Sequence, residues 1–214
     1  MKSMKVESAS DAGPGQEFSM DLLRPGHSRS ARLSVDLGTY RKNHDWLALF
    51  RRGLWTCVQI AFWPKRPRWL SGLRVALLRL FGARIGQNVL ICGGVRVTVP
   101  WLLEMEEYSV LGDDVEVYNL AAVRIGAHAV VSQRVYLCTA THDYTLTDFP
   151  LYAKPITIGA QSWVAAGAFV GPGLSVGDGA VVGAHSVVTR DVPAWMVCAG
   201  NPCRVIKPRE LRET

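Results

Sequence analysis

The sequence lacks any run of eighteen apolar residues, and its first residues lack the short apolar stretch of a secretory signal. The first absence argues against a membrane-spanning helix and the second against export, so the expected location is the cytoplasm. Cysteine is scarce and odd in number: Cys57, Cys92, Cys138, Cys198 and Cys203, with no CxxC spacing. That pattern argues against a disulfide framework or a cysteine-based zinc site and fits a reducing compartment. Acidic residues are missing where basic ones gather, since residues 24–84 hold thirteen Lys/Arg against only Asp36 and Asp45. The net charge of +6 therefore belongs to that stretch and not to the regions on either side of it. No zinc-finger, recognition-helix or RNA-binding motif accompanies the charge, so no nucleic-acid partner is expected. No Ser or Cys nucleophile motif is evident either.

What the sequence does contain is a period of six. Ile158, Val164, Val170, Val176, Val182 and Val188 recur without a slip, and the residue after each is small or polar: Gly159, Ala165, Gly171, Gly177, Gly183, Thr189. Two positions before the beat the side chain is usually small as well, as at Ser162, Ala168, Ala180 and Ser186. An α-helix has period 3.6 and a sheet strand period 2, so neither produces this pattern. A repeat this short cannot bury its apolar face alone and must stack on copies of itself, as in a parallel β-helix. Earlier beats fall at Ile85, Ile91 and Val97, then Met105, Leu111 and Val117, then Ile125, Val131 and Leu137. With the C-terminal six they make five groups of three, hence about five coils of a three-sided prism. The glycine after the beat is expected to turn the corner by adopting backbone angles closed to other residues.

The interruptions carry the functional information. The step lengthens between Val97 and Met105, between Val117 and Ile125, and most of all between Leu137 and Ile158, each time after the third beat of a group. Insertions that share one phase leave from one vertical edge. Residues 98–104, 118–124 and 138–157 should therefore be neighbours, one coil spacing of roughly 4.8 Å apart. Loops displayed by a rigid scaffold are where sites concentrate.

Four regions are expected: a Ser/Gly/Pro/Arg-rich flexible leader over 1–40, a basic, aromatic helical region over 41–84, the β-helix over 85–197 with its long loop at 138–157, and a C-terminal tail over 198–214. Within the second, Asp45 reads as the N-cap of a helix running to about Phe62, and a second helix spans Trp69 to Phe81 before Gly82. Two readings of these helices stay open. They plug the lower end of the β-helix, or residues 62–69, Phe-Trp-Pro-Lys-Arg-Pro-Arg-Trp, rest on an anionic membrane surface.

Four short motifs stand in order on the hexapeptide frame: Val117-Tyr118-Asn119-Leu120, Cys138 to Tyr144, Trp163-Val164, and Gly200-Asn201-Pro202-Cys203-Arg204-Val205-Ile206. Over residues of about 70 to 208 the chain resembles the left-handed β-helix, hexapeptide-repeat O-acetyltransferases, in particular the colanic-acid, maltose, galactoside and nodulation-factor group. The resemblance implies a left-handed coil, a homotrimer with active sites shared between subunits, and acetyl-CoA as acyl donor with no metal. It implies a saccharide acceptor, destined for an exopolysaccharide or carried as a lipid-linked precursor. His142 matches the family's catalytic base, a group that takes a proton from a sugar hydroxyl and returns it to the leaving thiolate. Asn119 matches the family's asparagine in the neighbouring loop and could orient the hydroxyl or stabilise the oxyanion. Asp143 is adjacent in sequence and poorly placed to align the ring, so the orienting partner of His142 is left unnamed. Trp163 matches the aromatic residue beside the reaction centre, Ala166 and Ala184 the small residues along the pantetheine arm, and Thr189, Arg190, Arg204 and Lys207 the positions that meet the adenosine phosphates.

Three rivals compete. Glu104, Glu106 and Glu107 near the first insertion could serve an N-acetyltransferase acting on a nucleotide-linked amino sugar. A β-helix without catalysis leaves Asn119 and His142 without a purpose. A three-histidine zinc enzyme on the same fold fails because His128 and His185 follow beats of different sides and cannot converge with His142.

Overall fold

A computed structural model describes residues 34–39, 46–62 and 67–213. The leader expected over 1–40 lies almost wholly outside the described residues, as do Asp45 and residues 63–66. From Ile85 onward every beat faces the interior of a three-sided parallel β-helix. Face one stacks Arg84–Ile85, Leu103–Met105, Val123–Ile125, Ile156–Ile158 and Ser175–Val176. Face two stacks Leu90–Ile91, Val110–Leu111, Val130–Val131, Trp163–Val164, Val181–Val182 and Met196–Ala199, and Arg204–Pro208 closes it in antiparallel fashion. Face three stacks Arg96–Val97, Glu116–Tyr118, Tyr136–Cys138, Phe169–Val170 and Val187–Val188.

The register is the one the period of six requires. Ile85 lies opposite Met105, Met105 opposite Ile125, Ile125 opposite Ile158 and Ile158 opposite Val176, and the other two faces pair their beats in the same way. The result is five full coils and the start of a sixth, where Val192 bridges to Val176 and Cys198 lies opposite Val182. Leu111, Val131, Leu137, Val164 and Val182 are completely buried, and each such side chain contributes about 1.5–3 kcal/mol of burial. The small residues two places before the beat occupy the inner corners. Ser109 and Ser162 are buried there and donate their hydroxyls to the carbonyls of Glu106 and Gly159, at 2.7 and 2.6 Å.

The reason for the glycines differs from the expectation. The corner residue in the left-handed region is the third after the beat, and at Asn88, Tyr108, His128 and Gln161 it carries a side chain. The glycine directly after the beat is needed for space. A Cβ on Gly126 would lie 2.6 Å from the backbone nitrogen of Ala160 in the next coil, and one on Gly112 would lie 2.6 Å from that of Gln133.

Two helices cap the lower end: α1, Trp46–Phe62, and α2, Ser71–Leu80, entered through a 3-10 turn at Arg68–Leu70. Trp55, Val75 and Leu78 join the apolar core of the β-helix. Their polar anchors hold the unpaired backbone of the first coil. Trp55 Nε1 donates to the Val97 carbonyl at 2.6 Å, the Ile91 N–H donates to Ser71 Oγ at 2.8 Å, and buried Arg74 donates to the Ile91 carbonyl at 2.9 Å. The helices thus do plug the open end.

The outer surfaces of the three faces differ. On face one, Arg84 and Arg124 flank Glu104 at 2.7 and 3.4 Å. On face two the outward positions are Leu90, Val110, Val130, Trp163, Val181 and Val197, an apolar row.

Candidate active site

All three insertions leave from the edge between faces three and one, as their shared phase requires. The first is the turn Pro100–Leu102, the second runs through Asn119 and Ala122, and the third is a hairpin pairing Ala140–His142 with Leu151–Ala153. They are laced together by buried side chains. Asn119 accepts from the Val99 N–H at 2.9 Å and donates to the Val99 carbonyl at 2.7 Å, tying the second insertion to the first. Thr139 Oγ1 accepts from the N–H groups of Leu120 and Ala121, at 2.9 and 3.1 Å, tying the third to the second. Both residues are 0 % exposed. Buried polar groups with every bond made are costly to disturb, so the lacing fixes the ledge on which the hairpin stands.

His142 ends the first hairpin strand, half-buried. Its Nδ1 lies 2.8 Å from the carbonyl oxygen of Phe149, and its ring stacks on the Phe149 ring with centroids 4.4 Å apart and planes 12° from parallel. A carbonyl oxygen only accepts, so Nδ1 carries a hydrogen, and in the neutral ring Nε2 keeps its lone pair. This is the tautomer a general base requires. The orienting partner missing from the sequence reading is therefore a backbone atom, which no side-chain motif could reveal. Asp143 turns to its own loop: it accepts from the N–H and hydroxyl of Thr145, and these bonds hold its carboxyl below the usual carboxylate range. The loop tip is held from outside as well, where the Asp36 N–H donates to the Thr147 carbonyl at 2.7 Å.

Asn119 and His142 share the ledge, but the Asn119 amide faces the insertion beneath it. The remaining expected residues lie elsewhere on the chain. Trp163 is on face two, across the prism from the ledge, with Nε1 donating to Ser132 Oγ at 2.9 Å. Ala166 and Ala184 sit one coil apart on the edge between faces two and three, where the His185 N–H donates to the Ala166 carbonyl at 2.9 Å. Thr189 and Arg190 are exposed at the upper end of the ledge edge, and Arg204 and Lys207 are exposed on the last strand of face two. A single chain thus separates the base from Trp163 and the two alanines. His128 and His185 stand at two other edges, and among the described residues no group of three His, Cys, Asp or Glu is gathered as a metal site. A concavity of about 710 Å³ lies along Arg79, Arg84, Glu104 and Glu107 at the foot of face one. It contains no histidine, and its Glu104 carboxyl is held below the usual range by the hydrogen bond from Arg84.

A family model described as bacterial transferase hexapeptide (six repeats) matches residues 155–190. The chain is 48% identical over 156 residues to the Escherichia coli protein WcaF, named for a role as an acetyltransferase of colanic acid biosynthesis, with 73% of this chain and 86% of that protein aligned. A solved galactoside acetyltransferase in complex with coenzyme A matches with a TM-score of 0.71 at 25% identity, covering 79% of this chain and 86% of that one. A maltose O-acetyltransferase from Clostridium difficile 630 matches with a TM-score of 0.66 at 28% identity, covering 78% and 90%.

Proposed function

This chain belongs to the hexapeptide-repeat acetyltransferase family, and from that premise we propose that it moves the acetyl group of acetyl-CoA onto a saccharide hydroxyl with His142 as general base. One observation carries the reading: the Nδ1–H of His142 is held by the Phe149 carbonyl, and a stacked ring fixes its plane. The free Nε2 takes the proton of the acceptor hydroxyl as its oxygen attacks the thioester carbon. The tetrahedral intermediate then collapses, the C–S bond breaks, and the departing thiolate takes the proton back from the imidazolium. No acyl-enzyme forms, in keeping with the lack of a nucleophile motif.

Asn119 enters the proposal as a positioning residue. With both ends of its amide on Val99 it keeps the neighbouring insertion at the height the acceptor needs. Trp163, Ala166, Ala184, Thr189, Arg190, Arg204 and Lys207 are proposed to line the coenzyme groove. That groove needs a second copy of the chain, since Trp163 and the ledge lie on different sides of one prism. A homotrimer packed through the apolar outer row of face two supplies it. O-acetylation is favoured over N-acetylation because two of the three carboxylates weighed for an amine acceptor are engaged: Glu104 with Arg84 and Arg124, and Glu106 with the Ala127 N–H at 2.9 Å. The acceptor proposed is a saccharide, free or lipid-linked, on the way to an exopolysaccharide.

The test is acetyl-CoA-dependent thiol release across a panel of saccharides, wild type against His142→Ala. Loss of a positioned base lowers turnover by about 10²–10⁴, with the oligomer unchanged by light scattering. Near-wild-type turnover in His142→Ala, or no thiol release with any saccharide, refutes the proposal.

A further inference from the structure

We infer that the outer faces of α1 and α2 dock on an anionic phospholipid surface. The two helices are apolar on more than one side, with Trp55, Val75 and Leu78 in the core and a further set of apolar side chains facing away from it. Three polar side chains anchor the inward side: Gln59 donates to the Val97 carbonyl, Arg74 to that of Ile91, and Ser71 accepts from the Ile91 N–H. A second set of large apolar side chains turns outward. Phe50 is 70% exposed, Ile60 75% and Leu80 77%, with Leu54 and Leu73 also exposed, and Trp69 in the turn leading into α2 is 78% exposed. The inward bonds, with Trp55 wedged into the core, fix the rotation of each helix. Neither stripe can roll inward without breaking those anchors, and large apolar side chains left exposed on one face mark a binding surface.

Charge selects the occupant. From Trp46 to Arg84 the sequence has no aspartate or glutamate, while Arg51, Arg52, Lys65, Arg66 and Arg68 are among its cations. Apolar and aromatic residues in a basic, acid-free setting are complementary to lipid headgroups carrying negative charge, with the apolar side chains buried roughly 5–10 Å deep. A second copy of the chain would set like charge against like, with no carboxylate in the region to offset it. No helix among the described residues is long and apolar enough to cross a bilayer, so the contact is one of lying on the surface. The surface reading of residues 62–69 thus extends to helices on both sides of that stretch.

The contact also has a place relative to the site. The Arg51 guanidinium sits 4.2 Å from the ring of Trp101, in the first insertion of the ledge edge, and Trp55 is bonded to Val97 at the start of the same insertion. The α1 helix therefore lies under the edge that carries His142, two coil spacings or ~10 Å above. That arrangement suits an acceptor anchored in the same bilayer, an extension that rests on the acetyl-transfer reading. Vesicle binding itself involves neither acetyl-CoA nor acceptor, so failure of either reading is seen separately.

The experiment is co-sedimentation of the full chain with phosphatidylcholine vesicles, with and without phosphatidylglycerol. Binding should be at least ~10-fold tighter to the anionic vesicles and should weaken as salt is raised. The double variant Phe50→Glu, Ile60→Glu should bind ~10-fold or more weakly, while Leu211→Glu, an exposed apolar position in the C-terminal tail, leaves binding unchanged. Both positions in α1 are exposed, so circular dichroism melts should match wild type. A full chain that ignores anionic vesicles overturns the inference, as happens when residues 1–33 or another copy cover the stripes. So does a double variant that melts like wild type and binds like it.

Discussion

Replacing Gly126 by alanine opposes two rules of protein stability. Gly126 is not among the glycines with positive φ, so an alanine meets no torsional penalty and should stabilise by about 0.4–1 kcal/mol through the unfolded chain. The stacked coil imposes the contrary demand. The new methyl would stand 2.6 Å from the Ala160 nitrogen and 2.9 Å from its Cα, where ordinary contact begins at 3.4 Å. These are backbone atoms, so relief means opening the coils locally by ~0.8 Å. That stretches the bond from the Gly126 N–H to the Ile158 carbonyl, now 2.8 Å, to about 3.6 Å, beyond useful hydrogen bonding. Overpacking of about 1–3 kcal/mol and a lost bond of about 1 kcal/mol outweigh the entropic gain. The expected net loss is about 1–3 kcal/mol, or roughly 2–10 °C in Tm for a chain of this size. The internal control is Gly53→Ala on α1, where a Cβ would meet nothing within 4 Å. Helix propensity there predicts a gain of about 0.5–1 kcal/mol. Both are read by thermal melting of the purified chain. A Gly126→Ala protein melting at or above wild type would mean that the close approach of coils does not select this glycine.

Removing the ring that stacks on His142, by Phe149→Ala, leaves the carbonyl in place and costs about 0.5–1.5 kcal/mol of alignment. Turnover should fall about 2–10-fold, well short of His142→Ala, and a steady-state assay showing losses as large as those of His142→Ala would put the ring itself in the chemistry. Asn119→Ala strands the buried N–H and carbonyl of Val99, at about 1–3 kcal/mol for each unsatisfied group. If Asn119 positions the acceptor ledge, the acceptor KM should rise while the acetyl-CoA KM stays put; equal changes in both would reduce it to a purely structural residue. Glu104 has a carboxyl lowered by the hydrogen bond from Arg84 and then by the charges of Arg84 and Arg124. A lowered folded pKa means stability that is present above the unfolded carboxylate value of about 4.3 and lost as pH falls through the folded one. The ion pairs of Glu104 lie at the surface, so Glu104→Gln should cost no more than ~1 kcal/mol at neutral pH. The difference from wild type in melting temperature should shrink steadily as pH falls below the unfolded carboxylate value, and a constant offset across the range would refute the linkage.

The prism and its contents were legible in the sequence because the six-residue period acts through a local constraint. A strand of two or three residues and a tight corner repeat only if each beat meets the same apolar interior, so Ile85, Met105, Ile125, Ile158 and Val176 had to stack. The shared phase of the interruptions was legible for the same reason, and with it the ledge that carries Asn119 and His142. The first helix followed from apolar spacing, but the spacing left its role open between a plug and a surface contact and did not say that α1 would turn Gln59 inward and Phe50 outward. The glycines were misread as torsional, since a sequence shows which residue lacks a side chain but not what stands opposite it.

Composition and periodicity, being properties of neighbours along the chain, determined the architecture, its core and the edge where the loops gather. The tertiary structure alone decided what depends on atoms far apart in sequence or on the backbone. It turned the Asn119 amide onto Val99, gave His142 a carbonyl instead of a carboxylate to hold its ring, and set Ala160 against Gly126. Such contacts are fixed by how closely one coil lies on the next, and no pattern of residue types records that distance.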